Sequence, residues 1–164
     1  MILRPATMTD VPMLRYWDTK AHVREGLGAN HDGNWEAELQ NDADWGECMI
    51  AEEKGRPVGF IRIIDPAREE THYWGDVEAD LRAVDIWIGE EADLGRGLGG
   101  IMMRLALEKC FADPHVKAVL LDPTVANIRA HRFYERLGFR FIERKRLGND
   151  DCRVYRLERD GFAG

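Results

Sequence analysis

Four glycines fall within six residues of this chain, Gly95, Gly97, Gly99 and Gly100, and they separate two stretches of different periodicity. Before them, Asp85-Ile86-Trp87-Ile88 alternates, which in a strand sends Asp85 and Trp87 to one face and Ile86 and Ile88 to the other. After them, Ile101-Met102-Met103-Arg104-Leu105-Ala106-Leu107 reads as a helix. The chain must therefore build a strand, a tight turn and a helix in immediate succession. Glycine lets the backbone fold sharply and approach a ligand closely. The first N–H groups of the helix lack intrahelical acceptors and stand at the positive end of its dipole, a combination that favours an anion such as phosphate. The spacing G-x-G-x-G-G is not the dinucleotide fingerprint, and no Lys-Ser or Lys-Thr pair makes it a kinase-type loop. On spacing alone the turn is either a phosphate cradle or merely a tight connection.

The remaining elements follow in order. Ile2–Ala6 reads as an edge strand, and Thr7 or Thr9 is placed to cap a helix with Asp10 and Pro12 in its first turn and Val11, Leu14 and Trp17 on one face. Residues 21–34 are rich in glycine, histidine and charge and are expected to be irregular; Trp35–Gln40 is a short helix. Strands at Glu47–Glu53 and Val58–Asp65 form a hairpin about Lys54-Gly55-Arg56-Pro57. A polar loop over 66–80 precedes the strand Val84–Ile88. Asp113-Pro114 ends the glycine-led helix, Val116–Leu121 is an apolar strand, and Asn127–Leu137 is a helix closed by Gly138. Phe139–Arg146 and Cys152–Leu157 make a last hairpin. The expected fold is a mixed α/β (α+β) domain with a mostly antiparallel sheet flanked by helices and a central β-α-β crossover.

A length of 164 residues suits one domain spanning 1–164, and a hydrophobic fraction of 45% excludes wholesale disorder. No apolar run reaches the roughly 20 residues of a membrane span, and no basic-then-apolar leader opens the chain, so a cytoplasmic protein with no membrane partner is expected. The net charge of −7 argues against a nucleic-acid partner and suits a cationic small molecule. Cys48, Cys110 and Cys152 are odd in number and widely spaced; they read as small core residues rather than a disulfide frame or metal site. His72, His115 and His131 have no metal-like spacing and default to surface or helix positions. His22 and His31 lie in the irregular segment, where a visit to a cleft is the weaker reading.

Three stretches in combination, Leu94-Gly95-Arg96-Gly97-Leu98-Gly99, Asp122-Pro123-Thr124-Val125-Ala126-Asn127-Ile128-Arg129-Ala130 and Arg132-Phe133-Tyr134-Glu135-Arg136-Leu137-Gly138-Phe139, resemble the GNAT superfamily of acetyl-CoA-dependent N-acetyltransferases. With Asp85 ahead of the loop and Phe111-Ala112-Asp113-Pro114 behind it, the chain is most similar to the aminoglycoside 6′-N-acetyltransferases, over roughly residues 45–157. The superfamily usually has Gln or Arg where this chain has Leu94, and Arg96 is the residue available to supply that charge.

The resemblance implies direct acetyl transfer from acetyl-CoA, with no metal, to a primary amine, with the 6′-amine of aminoglycosides as first choice. A siderophore precursor of hydroxylysine type, a polyamine or a protein N-terminus are alternative acceptors, and a non-catalytic acyl-CoA-binding module is the alternative of another class. It implies cofactor binding by Trp87, Ile88, Arg96, Gly97, Leu98, Gly99, Gly100 and Asn127. It casts Tyr134 as the phenol that protonates the departing thiolate, against a plain packing role, and Asp85 as the carboxylate that meets the amine, against a strand-end turn. Asp122, either a second ammonium site or an Asp-Pro turn, joins Trp74 and Asp76 of the 66–80 loop as expected substrate contacts; a solvated acidic loop is the plainer reading of the last two. A monomer or a homodimer is expected.

Overall fold

A computed structural model describes residues 1–41 and 43–162. Seven strands form one sheet, β1 (Ile2–Pro5), β2 (Gly46–Glu53), β3 (Arg56–Ile64), β4 (Leu81–Ile88), β5 (Ala118–Leu121), β6 (Arg140–Leu147) and β7 (Asp150–Glu158), in the order β1-β2-β3-β4-β5-β7-β6. Five helices join them, α1 (Val11–Asp18), α2 (Ala21–Leu27), α3 (Trp35–Gln40), α4 (Leu98–Ala112) and α5 (Ile128–Arg136). Every neighbouring pair is antiparallel except β4 and β5, which α4 connects as a crossover. The mixed α/β arrangement is the one the sequence implies.

The parallel pair is short, and the site depends on this. Leu81, Arg82 and Ala83 pair with Ala118, Val119 and Leu120, while β3 accompanies β4 all the way from Ala83 to Ile88. From Val84 onward β4 therefore has a neighbour on one side only. The chain leaves β5 after Leu121, and Pro123, which lacks a backbone donor, follows at once. Continuing the register sets Asp122 level with Asp85 across the gap.

Alternation along β4 divides the core as the sequence predicts. Ile86 and Ile88 pack with Leu98, Met102 and Met103 of α4, and Tyr134 and Phe139 belong to the same cluster. On the opposite face Trp87 joins Val11, Leu14 and Trp17 of α1, Trp35 of α3 and Phe60 of β3. The gap beside β4 is consequently reached from both faces of the sheet.

Residues 21–34 depart from expectation, because Ala21–Leu27 forms α2. Val23 is fully buried and Leu27, four residues on, is half-buried, enough to seat one turn of helix against α1. Gly26 in the last turn and a first turn without a capping side chain conceal this in the sequence. Gly28, at φ +70°, ends the helix. β4 also begins three residues earlier than its apolar alternation suggests, since Leu81-Arg82-Ala83 is the part that pairs with β5.

Gly89 closes β4 directly beneath the Trp17 ring, where a Cβ would lie 2.0 Å from Cε2 and 2.3 Å from Cδ2. A buried indole has nowhere to retreat, so Gly89→Ala is expected to cost about 2–3 kcal/mol in urea unfolding. An unchanged midpoint would show that α1 floats on the sheet rather than being locked to it.

Candidate active site

A cavity of about 910 Å³ passes through the gap between β4 and β5. Its walls take in the glycine turn and α5 on one face of the sheet and α2, α3 and the segment between them on the other.

The half at the glycine turn is built from backbone. Gly95 and Gly97 adopt φ +76° and +79°, which L side chains rarely tolerate, and Gly97 directly precedes α4. The amides of Gly100 and Ile101 donate back to the Gly97 carbonyl, at 3.1 and 3.4 Å. Those of Leu98 and Gly99 come ahead of these bonds and have no acceptor within the helix, so they point out of its end. Gly97, Leu98, Gly99 and Gly100 all line the cavity, and no Cβ crowds Gly97 or Gly100. This turn fits a pyrophosphate held by main-chain N–H groups.

Arg96 is not positioned as the sequence suggests. Its guanidinium turns away from the cavity and pairs with Asp93 and with Glu53, at 3.1 Å to the latter. Asp93 is buried and also takes both Arg56 nitrogens, at 2.7 and 2.9 Å, and the two cations hold its carboxyl below the usual carboxylate range. The Arg56–Asp93–Arg96 cluster thus braces the turn from behind, and only the Arg96 backbone remains on offer to a ligand. Asn127 caps α5, its Oδ1 accepting the Ala130 amide at 3.1 Å, and it also lines the cavity. Trp87 and Ile88 lie on the unpaired edge of β4, where the Ile88 carbonyl accepts from His22 Nε2 at 3.0 Å.

The opposite half is built from side chains and is acidic. Asp85 and Asp122 both face the cavity, and Tyr73 donates its phenol hydrogen to Asp122 Oδ2 at 2.7 Å. Burial and the neighbouring Asp85 charge push Asp122 up to about 7, against the opposing pull of the Tyr73 hydrogen bond. Burial likewise raises Asp85, moderated by Arg62, its cross-strand partner on β3. Arg62 is in turn held by Glu38 of α3 at 2.9 Å. Tyr134 projects from α5 among Phe133, Phe139 and Tyr155. Burial, then the charges of Asp85 and Asp122, drives its phenol well above the ordinary tyrosine range and keeps it protonated.

The two loop residues expected to meet substrate separate. Trp74 is buried with Leu81, Leu120 and Leu147, lines the cavity and offers its carbonyl to Lys145 at 3.0 Å. Asp76 is exposed beside a separate small depression with Ala67, His72 and Val77, and does not reach the cavity. Tyr73, Arg62, Glu38 and His31, none of them among the site residues the sequence suggests, do reach it. His31 stands in the sequence only as the weaker reading of its segment, and Arg62 leaves a trace as a single charge within the apolar run Val58–Ile64.

Comparison with known proteins agrees with this geometry. The family model of the acetyltransferase (GNAT) domain matches residues 6–147. The chain belongs to the GNAT family. An aminoglycoside N(6′)-acetyltransferase type 1 from Klebsiella pneumoniae is 28% identical over 147 residues, 84% of this chain and 72% of that protein. The structure of AAC(6′)-Ib in complex with ribostamycin and coenzyme A superposes with a TM-score of 0.85 at 25% identity, covering 97% of this chain and 93% of that one. The lysine N-acyltransferase MbtK of Mycobacterium tuberculosis is 23% identical over 164 residues, covering 95% of this chain and 76% of its own length. As a GNAT domain the chain is an acetyltransferase that draws on acetyl-CoA. Among the described residues no cluster of three or more His, Cys, Asp or Glu is placed to hold a metal ion, and no helix is long and apolar enough to cross a membrane.

Asp122 supplies a test of the site that needs no ligand. Its folded-state value of about 7 lies above the ordinary aspartate value of about 4, so the folded protein binds the proton more tightly than the unfolded chain. That contribution is complete below about pH 4 and is lost as the pH rises through about 7. Urea denaturation at about pH 5 and about pH 8 should show wild type losing a few kcal/mol more than Asp122→Asn across the interval. Parallel curves for the two proteins would mean that Asp122 is solvated.

Proposed function

We propose that this protein moves the acetyl group of acetyl-CoA directly onto a primary amine of a cationic small molecule, the 6′-amine of an aminoglycoside. One observation carries the reading: Asp85 and Asp122 confront each other across the strand gap, in the same cavity as the glycine turn. Two partly buried carboxyls in one cavity, with the Asp85 charge raising Asp122, are a poor arrangement for a neutral ligand. They suit one bearing several ammonium groups, whose arrival lets both ionise. The relatives named for aminoglycoside 6′-acetylation, and the ribostamycin bound in one of them, support the same choice.

The chain's own groups then take distinct parts. Main-chain N–H groups at Gly97, Leu98 and Gly99 hold the pyrophosphate. Gly100, whose own amide is spent on the Gly97 carbonyl, lets it approach without a side chain, and the open edge of β4 at Trp87 and Ile88 guides the arm that carries the thioester, with Asn127 beside it. The bound thioester supplies the acetyl group: the carbon–nitrogen bond forms and the carbon–sulfur bond breaks. The ammonium nitrogen loses two protons, one before it attacks and one as the amide forms, the sulfur gains one, and one is released to solvent. Asp85 binds and orients the reacting ammonium, Asp122 a second one. Tyr134, kept protonated by burial, donates to the leaving sulfur.

Free-thiol release from acetyl-CoA tests this against a panel of aminoglycosides with and without a 6′-amine, polyamines, hydroxylysine and N-terminal peptides. Turnover is expected with the 6′-amines, falling about 10²-fold in kcat for Tyr134→Phe and for Asp85→Asn. Faster turnover on lysine-type or peptide acceptors would replace the substrate; tight acetyl-CoA binding with no turnover on any amine would favour a binding module.

A further inference from the structure

The segment between α2 and α3 brings a second proton-active group to the cavity. Asp18 ends α1, and its Oδ2 accepts two hydrogen bonds, from Trp35 Nε1 at 2.6 Å and from His31 Nε2 at 3.0 Å. An imidazole that donates from Nε2 carries its lone pair on Nδ1 when neutral, so the carboxylate selects the tautomer. The other oxygen, Asp18 Oδ1, is buried with no hydrogen-bond partner. The Asp18 charge is thus met by two N–H groups only, and a proton arriving on His31 converts a neutral contact into an ion pair. The Trp35 ring, 5.2 Å from the imidazole centre, fixes its orientation. His31 lines the cavity with Asp85 and lies near enough for the two charges to be felt.

Other charged and titratable groups around His31 are committed elsewhere. Glu38 of α3 and Arg62 of β3 satisfy one another at 2.9 Å. Asp150 of β7 accepts the Ala29 and Asn30 amides, at 2.9 and 3.3 Å, and so clasps the segment to the last hairpin. Asp32 caps the Asn34 amide at 2.9 Å. On α2, His22 is tied to the Ile88 carbonyl at the cofactor end and Glu25 lies on the exposed rim.

We propose that His31 is the base that removes the proton from the reacting amine, with Asp18 as its positioning residue. The proposal rests on the amine-acetylation reading above. Asp85 holds the ammonium, but a proton left on it stays inside the cavity. The His31 side chain lines the cavity and keeps 25% of its surface exposed. The bound ammonium first gives a proton to His31 Nδ1, which frees the nitrogen lone pair, and His31 passes that proton to water. The nitrogen gives a second proton to the freed imidazole as the carbon–nitrogen bond forms, and His31 releases it to solvent in turn. The proton that Tyr134 gives to sulfur is replaced from solvent after release.

The test is steady-state acetyl transfer to a 6′-amine aminoglycoside from about pH 5.5 to about 9, with wild type, His31→Ala, His31→Gln and Asp18→Asn. His31→Ala is expected to lower kcat about 10²-fold and leave the KM for acetyl-CoA within about threefold. The rising limb of kcat with pH should disappear, and added imidazole should restore turnover in proportion to its concentration. Asp18→Asn keeps the imidazole but alters the group that fixes its tautomer and orientation, so kcat should fall while the KM for acetyl-CoA holds. Undiminished kcat in His31→Gln, beside an active wild type, overturns this proposal alone. So does a loss that imidazole does not rescue and that tracks a lowered Tm in both His31 variants. A wild type that acetylates no amine overturns it together with the reading beneath it.

Discussion

Everything in this molecule that bears on chemistry depends on three residues of parallel pairing. Had β5 followed β4 to its end, the sheet would be closed and α4 and α5 would be sealed from α1, α2 and α3. Because pairing stops at Ala83 and Leu120, the last five residues of β4 have no strand along one edge, where the Ile88 carbonyl takes His22 instead. Asp122 is carried out of the sheet opposite Asp85. Buried backbone groups need partners, and an extended ligand arm meets that need as a strand would. The same gap joins the helix end on one face to the carboxyls on the other.

The electrostatic layout follows from this geometry. On one face the partial positive charge of a helix terminus and the main-chain N–H groups await an anion. On the other, carboxyls are held in surroundings that disfavour their charge. Local ion pairs supply the rigidity that neither half has alone: Asp93 fastens the glycine turn to β3 through Arg56, and Glu38 fixes Arg62 beneath Asp85. The Asp150 clasp ties the segment over the acceptor side to the far hairpin.

How much of this the sequence revealed depended on whether the signal was local. Alternation in β4, the glycine turn, the Asn127 and Gly138 ends of α5 and the buried run of β5 are each set by neighbouring residues, and each was legible. So were Asp85 and Tyr134 as cavity residues, through motif resemblance. The short helix α2 was not, because a single buried valine and a half-buried leucine carry its amphipathicity while Gly26 obscures it. The Arg96 guanidinium finds partners, Asp93 and Glu53, that depend on how the turn folds back on β2, which leaves its backbone as the part the resemblance bears on. Tyr73 and His31 acquire their meaning from Asp122 and Asp18, which are 49 and 13 positions away, and no local pattern announces such pairs. Asp76 had a plausible composition around it and the wrong side of the loop.

A site with one half made of backbone and the other of side chains will not drift evenly under selection. At the exposed Ile101, most replacements leave the peptide groups of the turn where they are, so the backbone half tolerates a changing surface. At His31, Glu38, Tyr73 and Asp122, a single codon change rewrites the cavity's other wall. Descendants of such a scaffold are free to exchange one amine for another while keeping their acetyl donor.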